Sequence, residues 1–219
     1  NGVVESITAI PSGAEDQVYV AVKRTIDGAT VRHIEYLKPI EFGDDVEDAF
    51  FLDSGLTYDG SATTTVSSLN HLEGETVSIL ADGATHADKV VTDGKVTLDR
   101  EASKVHIGYN YTSTIETLRL EAGAEDGIAQ GKIKRIHGVT ARFFNTVGAE
   151  LGPDTNNLDR LPFRDSSMSM NQAVPLFNGD KEIYFPSGYE NDARVIVRQS
   201  QPLPMTVLAI MRRSNTFDA

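Results

Sequence analysis

Val18, Val20 and Val22 alternate with Tyr19, Ala21 and Lys23, and beyond Asp27-Gly28 an alternating run resumes from Thr30 to Leu37. A two-residue period puts successive side chains on opposite faces of a pleated strand, and Asp-Gly tolerates the positive φ of a tight turn. The stretch predicts a β-hairpin, with strands long enough to need a further sheet partner. Asp59-Gly60, Asp82-Gly83, Asp93-Gly94, Asp126-Gly127 and Asn178-Gly179 repeat the turn signal along the chain. Together they predict an all-β fold.

Short strands are expected over 63–69, 76–80, 87–91, 95–98 and 104–111, a density that suggests a small closed β-barrel. Residues 44–51 read as a two-turn helix capped by Asp44 or Asp45, with Val46 and Phe50 four apart on one face. After a hinge-like stretch at 121–127, strands are expected over 132–144, 182–185, 193–199 and 205–211. A polar loop from 152 to 171 is longer than most ordered connections and suggests contact with a partner. The expected organisation is a β-sandwich-like domain from residues 1–40 and 122–219, with the small barrel of residues 41–121 inserted in it.

Composition narrows the function. With 219 residues, 40% of them hydrophobic and 24% charged, the chain can bury a core. No run is long and apolar enough for a membrane helix, so no membrane segment is expected. The absence of Cys excludes disulfides, thiolate metal sites and a Cys nucleophile. A net charge of -12 argues against a tight nucleic-acid binder, while an acidic wall would let DNA slide past. The chain begins at Asn1 without Met, which suggests a piece of something longer.

Motifs for chemistry are sparse. The five histidines, His33, His71, His86, His106 and His137, form no linear metal motif. His71-Leu72-Glu73 shares letters with the zinc deaminase signature, but that chemistry needs cysteine ligands, so a turn histidine before Gly74 is the better reading. Gly127 to Lys132 lacks the fourth spacer and the hydroxyl of a phosphate loop, and no serine sits in a Gly-x-Ser-x-Gly elbow. Asp44, Asp45, Glu47, Asp48, Asp53 and Asp59 contain pairs that a glycosidase or a calcium site would use. Capping and turn roles explain them more simply. No catalytic residue, cofactor or metal is expected.

Contact surfaces remain. Lys132, Lys134, Arg135 and Arg142 form the one basic concentration, suited to an acidic neighbour; the plainer reading is a strand whose lysines resist edge pairing. Phe163, Arg164, Met168 and Met170 in the long loop combine an aromatic anchor with adaptable methionines, as a docking segment does. Tyr109 and Tyr111 share one face of a strand, spaced for stacking on a sugar or base, although core or rim packing in a barrel accounts for them better.

Residues 23–35 (KRTIDGATVRHIE), 51–60 (FLDSGLTYDG), 71–83 (HLEGETVSILADG) and 201–210 (QPLPMTVLAI) carry a family likeness. They resemble the C-terminal part of structural proteins of short-tailed phages and prophages, of the tail nozzle type. The central segment is similar to the first catalytic cysteine half domain (FCCH) of ubiquitin-activating enzymes. Without Cys, only the barrel shape of that domain carries over. The resemblance implies a non-enzymatic virion tail component, made in the bacterial host cytoplasm. It also implies homo-oligomerisation of the full-length protein around the DNA exit path, contacts with other tail proteins, transient passage of DNA without sequence-specific binding, and further mass N-terminal to this chain. A carbohydrate-binding or host-adhesion module, using Tyr109, Tyr111 and nearby acids, is the alternative.

Overall fold

The computed structural model describes residues 2–13, 15–121, 129–170, 172–185 and 187–217. It is all-β, its strands joined by turns and two single 3-10 turns. The chain divides into two compact units, Asn1–Tyr111 with Met170–Ala173, and Thr112–Ser169 with Val174–Ala219. The expected grouping of residues 1–40 with 122–219 therefore differs from this division, in which the first hairpin belongs with the strands that follow it.

In the first unit, β1 (Val3–Ser12), β2 (Glu15–Ile26) and β3 (Ala29–Tyr36) form an antiparallel sheet in that order. Asp27 and Gly28 both take positive φ, as the hairpin reading requires. β4 (Asp53–Val66), β5 (Thr76–Ala81), β6 (Ala84–Val90) and β7 (Val96–Tyr109) form a second sheet, ordered β4-β7-β5-β6. These ladders do not themselves close a barrel. The sheet curls, however, so that β6 side chains reach β7: His86 Nε2 accepts the Asp99 N–H at 2.9 Å, and Lys89 donates to Asp99 at 2.6 Å. Ile26 from β2 joins Val66, Leu72, Ile79 and Ile107 in one core, and Val31 from β3 packs against it. That burial is why the hairpin belongs to this unit.

Three local expectations change. Residues 44–51 contain only the 3-10 turn Val46–Asp48, Asp45 makes no side-chain capping bond, and Ala49 is already extended. Val46, Ala49 and Leu52 are buried, a spacing of three that serves a tight turn running into a strand rather than an α-helical face. Asp59-Gly60 lies inside β4 and makes no hairpin. The segments 95–98 and 104–111 fall mostly on the single long strand β7, held together by pairing with β4 on both sides of Ala102.

The second unit pairs two sheets around one core. β8 (Ser113–Glu116), β10 (Glu150–Asp154), β11 (Asn157–Arg160) and β13 (Ile196–Gln199) form a sheet ordered β11-β10-β13-β8 around β9 (Ile133–Thr146), β12 (Phe177–Tyr184) and β14 (Thr206–Phe217), which form the other, ordered β12-β9-β14. Ile136, Val139, Ala141 and Phe143 of β9 share their hydrophobic cluster with Leu151, Val195 and Val197. This is the face-to-face packing of a sandwich. The 152–171 segment is not wholly a loop, because β10 and β11 form a short hairpin at its start. Asp126-Gly127 lies outside the described residues.

Candidate functional site

Local pairing in the first unit sets up a cleft of about 1230 Å3. One wall is the continuous run Arg32 to Ile40, that is, β3 and its extension; the other includes Phe50 to Gly55, His71 and Tyr111. Residues 32–37 alternate between the two faces of the sheet, yet all of them line the cleft. Gly2, Val4, Val20, Val22 and Arg24 line it as well, so it lies over one face of the β1-β2-β3 sheet and reaches the edge of β3.

Arg24, only 3% exposed, organises the polar part of this wall. Its Nε and Nη2 each donate to a Glu35 carboxylate oxygen at 2.8 Å, Nη2 also reaches Asp53 Oδ1 at 3.1 Å, and the guanidinium lies 5.6 Å from the centre of the Tyr109 ring. Burial pushes Glu35 up, but bonding to Arg24 outweighs it and holds the carboxyl below its ordinary value. The Glu35 bond raises Arg24 in turn. The third nitrogen, Nη1, is buried without a hydrogen-bond partner among the described residues, as is His33 Nδ1. His33 meets His71 edge to face with ring centres 6.1 Å apart, while His71 Nε2 bonds the Ser54 carbonyl at 3.0 Å. Lys38 sits over the Phe50 ring at 4.7 Å, where burial lowers its pKa.

The other residues singled out in this unit have structural positions. Tyr109 is buried in the core, its hydroxyl pushed up to about 12 by burial and by Glu75, whereas Tyr111 is half exposed at the cleft. The two rings do not form a shared open platform. In His71-Leu72-Glu73, Leu72 is core and the Glu73 carboxylate accepts the N–H groups of Asp93 and Gly94 at 3.0 and 2.7 Å, fixing that turn. Asp48 pairs with Lys104, with Asp59 3.8 Å from the same ammonium. Among the described residues, no group of three or more His, Asp or Glu is placed to hold a metal ion. None of the described helices is long and apolar enough to cross a membrane.

The basic concentration is dispersed in the second unit. Lys134 is 1% exposed, and its Nζ donates to the Asn191 carbonyl at 2.8 Å, so it offers nothing to a neighbour. It lies on β9, the central strand of its sheet, and its charge protects no edge. Arg135 lies over Tyr189, 5.5 Å from the ring centre, with Nε buried and unpartnered among the described residues. Arg142 is exposed but forms a two-pronged pair with Asp180 on the adjoining strand, at 2.7 and 2.8 Å. Lys132 is half-buried just before β9. Phe163 stacks between Phe143 and Phe177 with ring centres 5.8 Å from each, and Lys181 covers it. It anchors the core of this unit. Arg164 bonds the Ser169 carbonyl, Met168 is half-buried, and Met170 is exposed and falls with the first unit.

What the sequence reading missed is β1. All ten of its residues are exposed, among them Val3, Val4, Ile7 and Ile10. Its Val-Val and Ile-x-x-Ile spacing breaks strict alternation, and the structure places a bulge between Val4 and Ser6. Comparison of the chain with protein-family models gives no match, and no curated protein is significantly similar to it.

Proposed function

We propose that this protein is a non-enzymatic structural component of a phage-like tail, one that acts through contacts between subunits around the path of DNA. The observation carrying this reading is the exposure of β1: a ten-residue strand with apolar side chains on both faces and none of them buried. Burial of apolar area is what stabilises a strand of this kind, at about 25 cal/mol per Å2, and the described residues of this chain do not supply it. A neighbouring polypeptide would. The net charge of -12 suits a wall that repels phosphates during passage. The sequence likeness at residues 23–35 and 51–60 falls on β2, β3 and β4, the elements that build the cleft.

The test is assembly into particles. The 219-residue chain within its parent protein should sediment with tail particles and withstand nuclease treatment of their DNA, with no hydrolytic activity on glycans. Saturable binding on a glycan array, with no particle association, would replace this reading by the adhesion one.

A further inference from the structure

We infer that the cleft of the first unit binds a small molecule with an apolar body and a single carboxylate, its charge set against the Lys38 ammonium. Such a site is independent of any role in a tail.

One side of the cleft is a sheet face. The ladders pair Val4 with Val22 and Val20 with Glu35, so these side chains and that of Arg24, two residues beyond Val22, project the same way. All of them line the cleft, and Phe50, Phe51, Leu52 and Tyr111 line it from the rest of the unit. A space of about 1230 Å3 with aromatic and branched walls is enough for a drug-sized ligand or somewhat more. Burial of apolar area would supply the bulk of its affinity.

Charge decides what else that ligand carries. Among the described residues, the cleft is lined by three cations, Arg24, Arg32 and Lys38, and by two acids, Glu35 and Asp53. Arg24 takes both acids, and Arg32 pairs with Glu5 of the same chain at 2.7 Å. Lys38 has no ion pair or hydrogen bond among the described residues. Its ammonium stands 4.7 Å from the centre of the Phe50 ring, where burial lowers its pKa. Asp48 acts on it from further away, but that carboxylate is paired with Lys104, whose own charge opposes the attraction. An ammonium partly removed from water gains more from a paired anion than a solvated one does, because the attraction is less screened. One unclaimed positive charge in an apolar cleft thus calls for one negative group on an apolar body.

Two dyes separate the charge from the apolar surface: anilinonaphthalene sulfonate, an apolar monoanion, and phenylnaphthylamine, the same rings without the sulfonate. Fluorescence titration of the 219-residue chain should show one saturable site for the anionic dye, from which dodecanoate displaces it one for one. Lys38→Met should weaken the anionic dye roughly five- to tenfold and leave the neutral one within about twofold, while Lys38→Arg should restore the anionic dye. The net charge of -12 repels anions from the chain as a whole, so a preference for the charged dye has to come from a local cation. Ile7→Ser removes an exposed apolar side chain of β1 that does not line the cleft, and should change neither dye. Lys38 and Ile7 are both exposed, so the variants should keep the β circular dichroism spectrum. If Lys38→Met loses it, Lys38→Gln takes its place. The absence of saturable binding, a failure of dodecanoate to displace the dye, an unchanged affinity of Lys38→Met for the anionic dye, equal losses of both dyes in that variant, or loss of binding in Ile7→Ser would each overturn the inference.

Discussion

Arg24 holds Glu35 and Asp53 together while almost wholly removed from water. Removing one partner of such a pair strands a half-buried carboxylate. Arg24→Met should therefore cost about 3 kcal/mol or more in urea unfolding, and adding Glu35→Met should recover much of the loss. A single-variant loss below about 1 kcal/mol would contradict this account. His106 makes a second test. Burial lowers its pKa, its Nε2 is 2.9 Å from the Glu47 carbonyl, and its Nδ1 is 2.8 Å from the Thr57 hydroxyl. The arrangement suits a neutral ring with the proton on Nε2. A depressed histidine contributes stability above its unfolded value, near 6.5, that is lost as pH falls through the folded value. The urea midpoint should drop on acidification below pH 6.5, and His106→Gln should flatten that dependence.

Turns decide the elements. Asp93 and Gly94 take φ of 53° and 64°, and a Cβ at Gly94 would lie 2.2 Å from Asn70 Oδ1. Gly94→Ala should lower stability by about 1–3 kcal/mol from backbone strain alone, with the contact adding to it. Asn70→Ala in the same chain should restore only the contact part, which thermal unfolding of the single and double variants would resolve. The long strand β7 shows why the turn signal cannot be read alone: the charged Asp99-Arg100-Glu101 looks like a break in sequence, but curling of the sheet gives Asp99 to His86 and Lys89 as partners. Similarly, Asp59-Gly60 was free to be a turn until β7 ran alongside it.

For the whole molecule, charge opposes association and the exposed apolar side chains of β1 favour it. Each copy carries -12, and the Debye length shortens from about 30 Å at 0.01 M salt to about 8 Å at 0.15 M. Raising salt across that range should strengthen self-association, as measured by sedimentation equilibrium. Weakening with salt would mean that attraction between charges on neighbouring copies outweighs the repulsion between whole chains.

The sequence by itself determined the all-β class, the first hairpin and three of its tight turns, because period-two alternation and Asp-Gly pairs are local signals with local causes. It also shows why Lys132, Lys134, Arg135 and Arg142 look like one patch, since they lie close along the chain. Only the tertiary structure decided that they are not one. Strand pairing sends neighbouring residues to opposite faces and into different surroundings, so Lys134 is buried, Arg135 stacks on Tyr189, and Arg142 meets Asp180 from another strand. The same holds for the cleft, whose lining residues come from positions as distant as Gly2 and Tyr111. Sheet order and the location of free edges arise from long-range pairing, and no short stretch of sequence contains them.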